Sequence, residues 1–263
     1  MSHSEKTRLT PILEAPSGSP ATLAALVPGF LKRLERPAGT FDARRYFRGG
    51  TDLEFHNVGA VPLRRLARSI HLANRPAWSI EHAMRFAGVL IRGRSLESKA
   101  IGIEVVRRFH REFSPRLLPI WHGWLAEGYS SNWATTDAIC GSLVGPLLAA
   151  HPRLALQMRR WARHRSLWVR RASAVSLVPL ARRGRSLSLA YGVARALHRD
   201  REDLIEKAAG WLLREAGKTD PRRLERYLLR RGRTIPRTTL RYAIERMSPF
   251  MRRKILRSTR RGG

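Results

Sequence analysis

The sequence predicts an all-α protein, an α-solenoid of paired helices with a basic concave face. Three observations carry that expectation. Apolar residues recur at the three-and-four spacing of amphipathic helices along nearly the whole chain. Chain breakers cut it into segments of roughly 10 to 18 residues. Lys and Arg outnumber Asp and Glu by 51 to 20, a formal net charge of +31, which calls for a polyanionic partner.

Residues 1–20 are polar, carry small clusters of Pro, Ser and Gly, and lack a period; they are expected to be a flexible arm. Residues 21–250 are expected to form the repeat domain and residues 251–263 a basic C-terminal tail that adds nonspecific phosphate contacts. Within the domain, Ile101, Val105, Val106 and Phe109, or Leu204, Ala208, Trp211 and Leu212, mark helical faces. Ser114-Pro115, His151-Pro152, Arg183-Gly184 and Asp220-Pro221 mark the breaks. Helix pairs so divided recur at roughly the 40-residue spacing of HEAT-type repeats. Ser130-Ser131-Asn132-Trp133 and Arg165-Ser166-Leu167-Trp168 each lead into a helix about one repeat apart. Such pairs stack on their neighbours and leave one concave surface open to an extended ligand.

The six lysines leave the positive charge almost wholly to guanidinium groups, which are planar and forked toward phosphate oxygens. A coding bias can supply arginine in place of lysine, but it does not account for the scarcity of acids. Cys140 is the single cysteine, so neither an intrachain disulfide nor a cysteine-based zinc site can be assembled from this chain. It falls in an apolar stretch with no histidine near it in sequence, a poor setting for a reactive thiol. The apolar run from Ala21 to Leu31 is short and interrupted by Pro28 and Gly29. No signal peptide, membrane span or membrane partner is expected, and the protein is expected to be cytoplasmic, or nucleoid-associated if bacterial.

Asp137 is the one carboxylate between Glu127 and Asp200, a stretch holding twelve arginines. Beside DNA such an acid is tolerated when an arginine neutralises it or when it meets a developing positive charge. Trp133 lies four residues earlier, and Asn132 or Ser131 can cap the helix, so Trp133 and Asp137 should share a face. Taken alone, a core tryptophan beside a surface or capping acid is the commoner meaning of such a pair. One repeat later, Arg170 and Arg171 open an otherwise apolar helix, and Trp211 follows the small residues Ala208, Ala209 and Gly210, which allow close packing.

In this order the segments resemble the AlkD family of DNA alkylation repair glycosylases, built from HEAT-like repeats. The likeness runs from about Tyr46 to Met247 and rests on Asn132-Trp133 with Asp137, on Trp168 through Val175, and on Lys207 through Glu215. It implies that Asp137 is the catalytic aspartate, that Trp133 and Trp211 line the sugar and backbone of the damaged nucleotide, and that Arg171 holds the DNA. It further implies Tyr46 as an aromatic from the first repeat. Arg170 and Arg214 are counted with them as DNA-binding residues. The stretch Arg48-Gly49-Gly50-Thr51-Asp52 leading to Phe55 through Gly59 departs from the family pattern.

The chemistry implied is excision of alkylated purines from duplex DNA by a monomer, without metal or other cofactor. Alkylation at N3 of adenine or N7 of guanine makes the base cationic, a leaving group that needs no general acid. One carboxylate can then stabilise the oxocarbenium-like sugar and place the attacking water. Tryptophan faces would add roughly 0.5 to 2 kcal/mol per cation–π contact. The family is thought to act without base flipping. A noncatalytic repeat scaffold for nucleic acid or an acidic protein is the alternative. A metal-dependent nuclease or phosphatase finds no support, since His110, His122 and His151 form no ligand spacing. Trp78, Trp121, Trp124, Trp161 and Trp168 are assigned to packing between repeats.

Overall fold

The computed structural model describes residues 19–35, 47 and 52–259. Among them the regular structure is helical, apart from one isolated parallel bridge between Glu54 and Ser95. The chain divides into two compact units, Met1–Leu117 and Leu118–Gly263. Tyr46, the residues from Arg48 to Thr51, and most of the N-terminal arm lie outside the described residues.

The first unit holds α1 (Pro20–Leu34), α2 (Ala60–Asn74), α3 (Ile80–Arg92) and α4 (Leu96–Arg108). Ser19 caps α1 by accepting from the Thr22 N–H at 3.2 Å, and Pro20 stands at the start, where its missing N–H costs nothing. The helix continues through Pro28 because Leu23, Ala24, Val27, Phe30 and Leu31 bury one face; packing outweighs the interruption seen in the sequence. Helix α4 packs on both α2 and α3, and Gly102 lets it approach α3 closely: a β-carbon there would lie 3.1 Å from the Ala87 Cα. Links across this unit span 32 to 44 residues, from the Ile80 N–H to Glu112 Oε2 at 2.8 Å, from the His56 N–H to Glu97 Oε1 at 3.0 Å and from Arg108 to the Arg64 carbonyl at 3.2 Å.

The second unit runs through α5 (Leu117–Ala126), α6 (Trp133–Ile139), α7 (Gly145–Ala150), α8 (Met158–Trp161), α9 (Leu167–Val175), α10 (Val178–Ala181), α11 (Leu187–Leu197), α12 (Asp203–Ala216), α13 (Pro221–Arg231), α14 (Arg237–Ile244) and α15 (Pro249–Ser258). Helices α6, α9, α12 and α14 follow one another as a row, each packed on the next, while α11 and α13 pack on α12. Most links between successive helices here span about 29 to 36 residues, for instance Arg182 to Glu215 and Thr239 to the Glu206 carbonyl. The repeat is therefore shorter than the roughly 40 residues read from the breakers; Trp133 is the first residue of α6 and Trp168 the second of α9. Gly210 makes the tightest joint: a β-carbon on it would stand 2.6 Å from the Thr239 carbonyl oxygen and closer still to the Tyr242 side chain, which explains the small residues before Trp211. Residues 249–258 are helical, with Ile255 buried. No described helix is long and apolar enough to cross a membrane.

Candidate active site

Helix α6 is fixed at its start by local chemistry. Asn132 Oδ1 accepts the Thr135 N–H at 2.8 Å, and Thr136 Oγ1 donates to the Ser130 carbonyl at 2.9 Å. Thr135, Thr136, Ile139 and Cys140 turn inward, so Trp133 and Asp137, one turn apart, are left half-buried at the edge. A π-helical turn, Cys140–Val144, follows at once; such turns widen a helix and recur at functional sites. Gly145 ends it, passing so close to α10 that a β-carbon would lie 3.2 Å from Pro179 Cγ.

Arg171 reaches Asp137 from α9. Its Nε donates to Oδ1 and its Nη2 to Oδ2, both at 2.8 Å, while Nη1 donates to the Leu204 carbonyl on α12 at 2.6 Å. One guanidinium thus ties three successive helices together. The Arg171 side chain is 8% exposed, the Asp137 carboxylate 21%. Burial pushes the Asp137 carboxyl above its ordinary value even though Arg171 opposes the shift by hydrogen bond and charge. Of the two explanations the sequence allowed for a lone acid among arginines, neutralisation by an arginine is what the folded protein displays. Cys140 lies next to this pair but is fully buried, and burial pushes its thiol up to about 12, so it stays protonated and unreactive.

Trp211 stands on α12 seven residues beyond Leu204, two turns along the same face. Leu204, Lys207, Trp211 and Arg214 form a stripe of half-buried residues on that helix, against the buried Ile205, Ala209, Leu212 and Leu213. The edge carrying Trp133 and Asp137 and the stripe carrying Trp211 are joined through Arg171. Arg170 is placed differently. Its Nε donates to Asp200 Oδ2 at 2.6 Å, and its Nη1 to the His164 and Arg165 carbonyls at 3.0 and 2.8 Å. It fastens the loop before α9 to the loop before α12. Arg214 binds Glu245 and lies 3.4 Å from Glu215 Oε1; Glu215 is 2% exposed and also holds Arg182 and Lys218 at 2.7 Å each. Of the tryptophans assigned to packing, Trp78, Trp121, Trp124 and Trp161 are buried, and Trp168 is half-buried.

The sequence did not foretell the third bond of Arg171, to a main-chain carbonyl on α12, nor the π turn beside Asp137. The available signal for the first was spacing: Leu204 follows Arg171 by 33 residues, as Arg171 follows Asp137 by 34. Among the described residues no three His, Cys, Asp or Glu side chains gather as a metal site requires.

Fold and site together define a helical-repeat protein with an acid–arginine pair locked between successive repeats. The family model described as DNA alkylation repair enzyme matches residues 30–247, and the chain belongs to that family, whose work is DNA repair. Among solved structures it is similar in fold to a predicted DNA alkylation repair enzyme from Enterococcus faecalis, at a TM-score of 0.65 and 17% identity, over 86% of this chain and 95% of that one. No curated protein sequence matches significantly.

Proposed function

We propose that this protein is a DNA glycosylase that releases cationic alkylated purines, 3-methyladenine and 7-methylguanine, from duplex DNA. It acts as a monomer in the cytoplasm, without cofactor and without flipping the base. The observation that carries this is the Asp137 carboxylate held side-on by Arg171 at a half-buried edge that also carries Trp133. A carboxylate fixed in one orientation, partly desolvated and still open to solvent, loses little reorganisation energy when positive charge develops on a nearby sugar. The sugar's leaving base is already cationic, so the remaining need is for an anion and a water, both of which Asp137 can serve. Trp133 and Trp211 would pack against the sugar and backbone and exclude water. Arg171, shared between Asp137 and an arriving phosphate, would give up part of its hold on the carboxylate and so strengthen its field where the cation forms. Tyr46 is proposed as the aromatic contact of the first repeat. Arg170 and Arg214 support the site by holding loops and helices, with their residual charge adding to the field felt by phosphates.

The same pair favours a second reading, a noncatalytic DNA-binding scaffold, because a neutralised carboxylate that bridges helices also serves stability alone. Release of free base from methylated duplex separates the two. Native protein should release both methylated purines, and Asp137→Asn should lower the rate by about 10²- to 10³-fold while duplex binding at matched salt persists. Binding by both proteins with base release by neither would leave the scaffold.

A further inference from the structure

Helix α13 carries a second concentration of arginine, away from the Asp137–Arg171 pair. Arg223, Arg226, Arg230 and Arg231, with Asp220 and Tyr227, line a cleft of about 480 Å³. The single acid is already engaged, since Asp220 Oδ1 accepts the Arg223 N–H at 2.9 Å as the cap of α13. The wall behind is built. The Arg223 guanidinium stacks over the Tyr191 ring at 4.9 Å and donates to Ser188 Oγ at 2.9 Å, both on α11. His198 meets the Tyr227 hydroxyl at 2.7 Å. In front of it, Arg226, Arg230 and Arg231 are exposed, and their guanidinium groups make no hydrogen bond or ion pair to a described residue. Helices α11 and α13 pack on α12. The residues lining the cleft all belong to α13 and its cap, and none to α6, α9 or α12, which carry Asp137, Arg171 and Trp211.

We propose that this cleft is a second DNA-backbone site, binding consecutive phosphates of a duplex segment other than the one at Asp137. Arg223, Arg226 and Arg230 lie at i, i+3 and i+7, a single stripe about 10 Å long at 1.5 Å per residue. One strand of B-form duplex carries about three phosphates over that length. The match is to a linear array of anions, where a lone phosphate would need convergent donors. The tyrosines stiffen the arginine fork without adding an apolar base pocket, so the site reads backbone and not sequence. A protein with both sites can hold one stretch of DNA while examining another. The inference rests on the DNA-binding part of the function proposed above and is independent of the catalytic part.

The test is stoichiometry with short duplexes of about one helical turn, followed by native mass spectrometry and anisotropy at low salt. The full chain should take up two duplexes, the Arg226→Gln/Arg230→Gln variant one, and Asp137→Asn still two. The weaker step should fall with salt at a slope near −2.7, about −0.9 for each of three phosphates. Both substituted arginines are exposed, so the melting temperature should not move; Arg226→Lys/Arg230→Lys should restore the second duplex in part. Uptake of one duplex by the native chain, or of two by the double glutamine variant, overturns the second site and leaves the glycosylase proposal standing. Uptake of none sinks both. Stoichiometric binding of inorganic phosphate that the variant loses, with one duplex bound throughout, overturns the DNA assignment in favour of a small anion.

Discussion

Arg171 grips both oxygens of Asp137, Nε to Oδ1 and Nη2 to Oδ2, each at 2.8 Å, and spends its remaining nitrogen on the Leu204 carbonyl. Three helices separated by about a repeat each therefore meet at one guanidinium, and anything done to either partner is felt as stability and as chemistry together.

Removing one partner leaves the other underpaired at low exposure. Arg171→Gln and Asp137→Asn should each cost about 2 to 3 kcal/mol in urea unfolding, somewhat below the 3 to 5 of fully buried pairs because part of the carboxylate reaches solvent. The double variant should cost less than the sum. Strict additivity would mean the pair contributes no coupling.

The pH dependence of base release follows from the direction of the Asp137 shift. Burial raises its carboxyl and Arg171 lowers it in opposition. Ionised Asp137 is the active form, so the acid limb of a single-turnover pH profile should lie above the ordinary aspartate range. Arg171→Gln removes the opposing influence and should carry that limb to still higher pH. A limb that moves down, or stays, denies Asp137 the charge-bearing role.

His198 sets a separate acid sensitivity. Burial, followed by the Arg231 charge, lowers its imidazole from 6.5 to about 4. The unfolded chain therefore takes up this proton first as pH falls, and stability present above about pH 6.5 is lost progressively down to about pH 4, by on the order of 3 kcal/mol. Unfolding midpoints of native protein and His198→Gln should converge across that window. Parallel curves would mean the imidazole titrates normally.

Gly210 tests the packing of the row. A β-carbon would collide with Thr239 and Tyr242, so Gly210→Ala should destabilise by about 1 to 3 kcal/mol despite alanine's better helix propensity. An unchanged melting temperature would show that α14 yields freely.

Arg170 is already committed to Asp200 and two carbonyls. Arg170→Gln should lower the unfolding midpoint while the salt slope of duplex binding changes by well under the 0.9 expected for loss of a phosphate contact. A full unit lost from the slope would make it a DNA ligand after all.

Much of the architecture was legible because helices announce themselves locally. The three-and-four apolar spacing of Ile101 through Phe109, the Asn132 cap and the Asp220-Pro221 start all act within one or two turns. The isolation of Asp137 among arginines was likewise visible in one dimension, as was its alignment with Trp133. The breakers Pro115, Pro152, Gly184 and Pro221 stand 32 to 37 residues apart, near the interval of the links in the second unit and below the rounded 40, but breakers mark where helices stop and not which helix meets which.

The sequence by itself determined an all-helical chain, its arginine surplus, the family motifs and a single acid set one turn from a tryptophan. These follow from residue type and short-range geometry. The tertiary structure alone decided that Arg171 closes on Asp137 while its neighbour Arg170 turns to Asp200, since adjacent residues on a helix point about 100° apart and only the packed neighbours determine what each one meets. It also decided that four arginines of α13 line one cleft, with Tyr191 of α11 stacked beneath Arg223. Partners 30 or more residues distant are chosen by the stacking of repeats, a long-range property that no local pattern encodes.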